Sequence, residues 1–208
     1  MKLCGGDTTF SNKLSFTITS IGFSKKIIYR NNTKVKDDIY LTGNIGDSYI
    51  GLQILKKKIK VKKKQYNYFV NEFYKPKIQI KLSDKLLRFS NSSIDISDGL
   101  FDDLEKLINR QKLNYSINLD KIPISKSLKS LINQYKIDKT KLISNGDDYQ
   151  ILFTANKNKS RIIKKISNNL RVKITKIGEI LPSFEKSQII DKNSNIIRLK
   201  NKGYIHQF

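Results

Sequence analysis

The chain is poor in the residues that usually carry chemistry or covalent cross-links: one cysteine, one histidine, one methionine, three prolines and no tryptophan in 208 residues. A single cysteine, Cys4, excludes an internal disulfide and fits a reducing, cytoplasmic compartment. The only histidine, His206, is far from it in sequence, so Cys4 reads as a small apolar residue. No apolar run reaches the length of a membrane span, which excludes a transmembrane helix. The start, Met1 to Gly6, has no apolar stretch to act as a leader. Hydrophobic residues nevertheless make up 38% of the chain, enough for a substantial core at this length.

Acidic residues are also scarce, 18 against 41 basic ones, for a formal charge of +23. A field of that sign attracts phosphate-bearing ligands and raises the possibility of nucleic acid. Yet 35 of the 41 are lysine, and asparagine and isoleucine are abundant too. AT-rich codons produce that joint excess whatever the protein does. Sequence-reading nucleic-acid proteins lean instead on arginine for bidentate contacts, so specific nucleic-acid binding is not expected.

What is present is a stretch where a short strand turns into a helix, Ser93-Ile94-Asp95-Ile96-Ser97-Asp98-Gly99-Leu100. Ile94 and Ile96 alternate with polar neighbours, and Leu100, Phe101, Leu104, Leu107 and Ile108 then recur at helical spacing. Ser97 or Asp98 is positioned to cap the helix, with Asp102 and Asp103 complementing its dipole. That reading leaves out Asp95, which stands between two apolar residues on a strand expected to be buried. A buried carboxylate needs a partner, and Asp-x-x-Asp on a turn suits a hard cation such as Mg²⁺. Spacing alone leaves capping and metal binding both open.

Along the rest of the chain, alternation predicts strands at Leu14 to Gly22 and Tyr115 to Leu119, and further strands are predicted at Asp38 to Gly43, at Val172 to Ile180 and after the acidic turn Asn145-Gly146-Asp147-Asp148-Tyr149. Helices are predicted at about 49–58, capped by Asp47 or Ser48, and at 65–74, 126–135 and 157–168. Phe69, Val70 and Phe73 fall on one helical face and read as core rather than as bases' stacking partners. Strands alternating with helices give an α/β or α+β fold.

Four separated segments, Gly5-Gly6-Asp7-Thr8, Asp95-Ile96-Ser97-Asp98-Gly99-Leu100, Asn145-Gly146-Asp147-Asp148-Tyr149 and Gly203-Tyr204-x-His206-x-Phe208, supported by Asp38 to Gly43 and Ile122-Pro123-Ile124-Ser125, together resemble the thiamine-monophosphate kinase family. The resemblance covers the whole chain but only the family's C-terminal two-thirds. It implies the C-terminal α/β domain of an aminoimidazole-ribonucleotide-synthetase-like fold over residues 26–208, with residues 1–25 as the end of an otherwise missing N-terminal ATP-binding domain. It implies phosphoryl transfer from ATP to thiamine monophosphate, giving thiamine diphosphate. Asp7, Asp95 and Asp98 match magnesium ligands, and Gly6, Asp7, Arg30 and Ser97 match ATP-contacting positions. Asp147, with Tyr204 or Phe208, falls where substrate is held. The attacking phosphate oxygen is already anionic, so no general base is required and the absence of a candidate His or Cys is consistent.

Departures accompany the match. Asn145 and Asp147 stand where the family usually has Gly and Glu, and Asn32 to Lys36 replace a Gly- and Pro-containing turn. The further acidic motifs of the family's N-terminal domain are not in this sequence. The expectation is therefore a truncated or separately encoded portion of the kinase, partnered by the missing domain or by a second copy. An inactive fragment, another ATP-using enzyme of the superfamily, and a basic nucleic-acid module are the alternatives.

Overall fold

The structure is a computed structural model that describes residues 5–6, 12–199 and 203. Cys4, Asp7, Tyr204, His206 and Phe208 therefore lie outside the described residues. Among the described residues, six strands form one sheet: β1 (Asp38–Thr42), β2 (Ser90–Asp95), β3 (Asn114–Asn118), β4 (Ile151–Ala155), β5 (Ile174–Leu181) and β6 (Gln188–Ile190). Their order is β2-β4-β1-β5-β3-β6, antiparallel except for the β3–β6 pair. The described residues also include seven α-helices: α1 (Asp47–Leu55), α2 (Lys63–Tyr74), α3 (Ile80–Leu86), α4 (Leu100–Ile108), α5 (Lys126–Tyr135), α6 (Lys139–Ile143) and α7 (Ser160–Leu170). This is the expected mixed α/β class.

Strand side chains alternate between two faces, and both faces are covered. Ile39 and Leu41 of β1, with Leu152 of β4 and Ile177 and Ile180 of β5, pack on the apolar stripe Leu100, Phe101, Leu104, Leu107 and Ile108 of α4. Tyr40, Phe153 and Ala155 point the other way, onto Leu82 and Leu86 of α3 and Ile163 and Ile166 of α7. The rings of Tyr40 and Phe153 stack at 5.2 Å between centroids. All five residues of β1 are buried as a result. A separate apolar cluster joins α1, α2, α5 and α6 through Ile50, Ile54, Phe69, Leu128, Leu131 and Leu142. Phe69 is thus core, as its helical spacing predicts. Among the described residues no helix is long and apolar enough to cross a membrane.

One predicted element is not there. Residues 14–22 form no strand, and Leu14, Phe16, Ile18, Ile21 and Phe23 are 82–99% exposed. Alternation supplies a strand with one apolar face, but a strand also needs a neighbour for its N–H and C=O groups, and this segment has none within the described residues. Three short elements escape the periodicity: α3, α6 and the three-residue β6. The helix expected from 157 begins at Ser160, after a 3₁₀ turn over Lys157–Lys159.

Candidate functional site

Among the described residues, strand β2 lies at one edge of the sheet and pairs only with β4, so its C-terminal end and the start of β4 emerge side by side. The pairing continues past the strands: Ile96 N–H donates to Gln150 C=O (2.9 Å), Tyr149 N–H to Ile96 C=O (2.9 Å) and Asp147 N–H to Ser97 C=O (3.0 Å). The turn 145–149 is thereby laid along the turn 95–99. Contact is so close that a Cβ on Gly146 would stand 1.7 Å from the Ser97 carbonyl oxygen and 2.8 Å from the Asp98 nitrogen. Only glycine fits there. Asp147 and Tyr149 hold φ values of 67° and 49°, a left-handed conformation that costs non-glycine residues energy and gathers at functional sites. The C-terminal segment joins them through Gly203, where a Cβ would lie 2.4 Å from the Asp102 Cβ and 3.2 Å from the Asp98 carbonyl oxygen. Three segments far apart in sequence therefore meet at one place.

The carboxylates there have different tasks. Asp103 is 1% exposed, and one of its oxygens accepts the backbone N–H groups of Ser97 (2.9 Å), Asp98 (3.0 Å) and Gly99 (3.2 Å). Neither Ser97 nor Asp98 caps α4; the N-cap is Gly99, with no side-chain cap. Asp103 instead reaches back from inside the helix and closes the turn. Burial pushes its carboxyl above the usual range, opposed by those N–H groups and by Lys106. Asp98 and Asp102 both contact the Lys106 ammonium at 2.5 Å, and Asp103 does so at 3.4 Å. Oxygens of Asp98, Asp102 and Asp103 lie within 4.8 Å of one another, an all-oxygen donor set of the kind a hard cation takes. In this structure the positive charge between them is the lysine's.

The expectation that Asp95 is a buried carboxylate is not met. Strand β2 is an edge strand whose burial alternates, and Asp95 falls on its exposed side. Asp95 still belongs to the neighbourhood. The Tyr149 hydroxyl is pushed up by partial burial first, then by Asp147 and Asp95, with a side-chain hydrogen bond to Asp147 and a smaller push from Asp98. Tyr149 is thus surrounded by three of the acids singled out in the sequence.

A cavity of about 260 Å³ opens beside these turns, lined by Ser97, Asp98, Asn145, Gly146 and Asp147 on one side. Its other wall is α1, through Tyr49, Leu52, Gln53 and Lys56. No motif points to α1. Its signal is helical spacing alone: positions 49, 52, 53 and 56 share one face. Helix α1 is fixed by buried acids rather than by a cap. Both oxygens of fully buried Asp148 accept the Gly46 N–H, at 2.9 and 3.0 Å, and burial holds its carboxyl well above the usual range, with backbone N–H groups of Gly46 and Ser48 opposing the shift. Asp47, expected as a cap, lies inside the helix and accepts the hydroxyls of Ser125 (2.7 Å) and Tyr68 (2.8 Å). Burial pushes it up to about 6.

Two predicted residues stand apart. Gly6 is exposed, with no atom within 4 Å of where its Cβ would be. Arg30 is also exposed, and its neighbour Asn31 donates its N–H to the Leu107 carbonyl, at the far end of α4 from Asp98. That helix is about 12 Å long, so Arg30 and the acidic turn are separated by most of its length.

No protein-family model matches the chain. Curated relatives do. The thiamine-monophosphate kinase of Buchnera aphidicola subsp. Schizaphis graminum is 38% identical over 214 residues, covering 99% of this chain and 64% of its own length. That of Buchnera aphidicola subsp. Acyrthosiphon pisum is 35% identical over 211 residues, with the same coverage of both. A solved structure described as AaThiL complexed with AMPPCP and TMP superimposes with a TM-score of 0.69 at 23% identity, over 86% of this chain and 54% of that one, which establishes a common fold. Along 99% of its length the chain is similar in sequence to these two thiamine-monophosphate kinases, and it spans 64% of their length.

Proposed function

We propose that this chain carries the phosphate- and substrate-binding half of a thiamine-monophosphate kinase, which moves the γ-phosphoryl group of ATP to thiamine monophosphate and yields thiamine diphosphate and ADP. One observation carries the reading: the separated segments Ser97–Asp98 and Asn145–Asp147 line a single cavity, with Gly203 packed against Asp98 and Asp102 beside it, in a chain whose curated relatives bear that name. The AMPPCP and TMP of the related structure fit the same assignment, as an ATP analogue and the acceptor.

In the reaction a phosphate oxygen of the acceptor bonds to the γ-phosphorus while the bond to the β-bridging oxygen breaks. That nucleophile is anionic near neutral pH, so positioning and charge neutralisation dominate. Asp98, with Asp95 across the same turn, is assigned to Mg²⁺, whose role when bound is to neutralise polyphosphate charge. Asp102 and Asp103 close the same all-oxygen set. Ser97 is assigned to the nucleotide, and Asp147 to the acceptor. Asp7, Gly6, Arg30, Tyr204 and Phe208 retain their proposed roles as metal, nucleotide and substrate contacts.

Residues 26–208 form the α/β domain in this reading. Residues 1–25 are assigned to the end of the relatives' N-terminal domain, in keeping with the exposed apolar residues among 14–23 and with a core to which Ile28 is an early contributor. The remaining third of the relatives' length, or a second copy of this chain, is the expected partner, in the cytoplasm. The test is ATP- and Mg²⁺-dependent conversion of thiamine monophosphate, by this chain alone and with the remaining third of a relative added as a separate polypeptide. Conversion is expected in the supplemented reaction and its loss in Asp98→Asn, whose circular dichroism stays that of the parent. Absence of conversion in both reactions, or undiminished turnover by Asp98→Asn, refutes the assignment.

A further inference from the structure

The cavity's two walls differ in chemistry. One is acidic, with Asp98 and Asp147; the other, on α1, runs from an aromatic ring through an aliphatic and an amide side chain to an ammonium: Tyr49, Leu52, Gln53, Lys56. Resting on the function proposed above, we infer that this face of α1 is a specificity wall for the acceptor: Lys56 takes its phosphate, and Tyr49 lies against its heteroaromatic ring.

Three features support this. A phosphate monoester entering a site walled by two carboxylates needs a cation from the opposite side, and Lys56 is the basic residue lining this cavity. Lys56, Lys57 and Lys58 are consecutive and all exposed, yet only Lys56 lies seven residues from Tyr49 and on the cavity face of the helix. It sits at the C-cap of α1, with its N–H bonded to the Leu52 carbonyl at 2.9 Å, a position where a cation also complements the helix dipole. Finally, α1 is tied to the acidic wall. Asp148, adjacent to Asp147, accepts the Gly46 N–H immediately before the helix, so the two walls keep a fixed separation. A ring flanked by Tyr49 and Leu52 with its phosphate toward Lys56 lies along α1, and its positive charge faces Asp147.

Calorimetric titration of the full chain with thiamine monophosphate and with thiamine, which has the same rings and no phosphate, tests the inference. Lys56→Met is expected to weaken thiamine monophosphate binding about tenfold while leaving thiamine unchanged, the loss expected for one charge-assisted contact. Lys58→Met, two residues further along and not lining the cavity, controls for net charge and should change neither. Tyr49→Leu keeps an apolar side chain of similar packing and should weaken both ligands alike. If Lys56→Met and Lys58→Met behave identically with thiamine monophosphate, the assignment of Lys56 is overturned while the kinase reading stands. If the parent chain binds neither ligand, the site assignment beneath it fails, and this inference with it.

Discussion

Asp47 offers the sharpest test of how the site is braced. It is 5% exposed inside α1, held by the hydroxyls of Ser125 and Tyr68, and burial raises its carboxyl from 3.8 to about 6. The folded chain therefore keeps this proton to about pH 6, whereas the unfolded chain releases it near 3.8. Between those values the folded state binds more protons, so stability falls as pH rises through the window, and the loss is complete above about pH 6. A displacement of roughly two units is worth about 3 kcal/mol. Asp47→Asn removes the titration. The amide still accepts one hydroxyl but presents an NH₂ to the other, a mismatch worth about 1 kcal/mol. Urea denaturation from pH 4 to pH 8 should show the parent losing stability relative to Asp47→Asn by about 2 kcal/mol across the range, with the variant the more stable of the two at pH 8 by about 2 kcal/mol. Parallel pH profiles for the two proteins would refute the argument, because the slope is the signature of a carboxylate whose charge is disfavoured by burial.

Other outcomes follow from the same geometry. Gly146→Ala forces the turns 95–99 and 145–149 apart, since its Cβ would meet the Ser97 carbonyl at 1.7 Å; a loss of at least about 2 kcal/mol is expected by chemical denaturation. Lys106→Met removes the ammonium from between Asp98 and Asp102, each about one-third exposed; stability should change by no more than about 1 kcal/mol, while calorimetry should report tighter divalent-cation binding. Phe16→Ser and Phe23→Ser replace residues 82% and 99% exposed and should leave the stability of the isolated chain within about 0.5 kcal/mol of the parent.

Much of the fold was legible because it rests on long, two-sided patterns. The stripe Leu100, Phe101, Leu104, Leu107, Ile108 predicts α4 and its buried face, and the strands expected at Asp38 to Gly43 and after the acidic turn are β1 and β4. Short elements such as β6 and α6 contain too few residues for a period to register. Residues 14–22 show the opposite failure, a clear period without a neighbour to pair with among the described residues. At the site, the segments that meet were visible as motifs, but the division of labour among their acids was not. Asp103 looks like one more dipole-complementing acid in sequence, and only the backbone path shows three N–H groups converging on it. Asp95 looks buried between two isoleucines until β2 is seen to be an edge strand. The α1 wall carries no motif at all and is assembled by Asp148 from the other side.

The carboxylate of Asp103 has a consequence for binding. By gathering the amides of Ser97, Asp98 and Gly99 on one oxygen, it immobilises the turn before any ligand arrives. Fixing a residue's backbone costs about 1–2 kcal/mol of conformational entropy, so a loop of three that had to order around a polyphosphate would forfeit several kcal/mol of affinity. Here that ordering is completed during folding, and the turn meets its ligand already preorganised. Removing Asp103 would convert a rigid receptor into one that must be induced to fit.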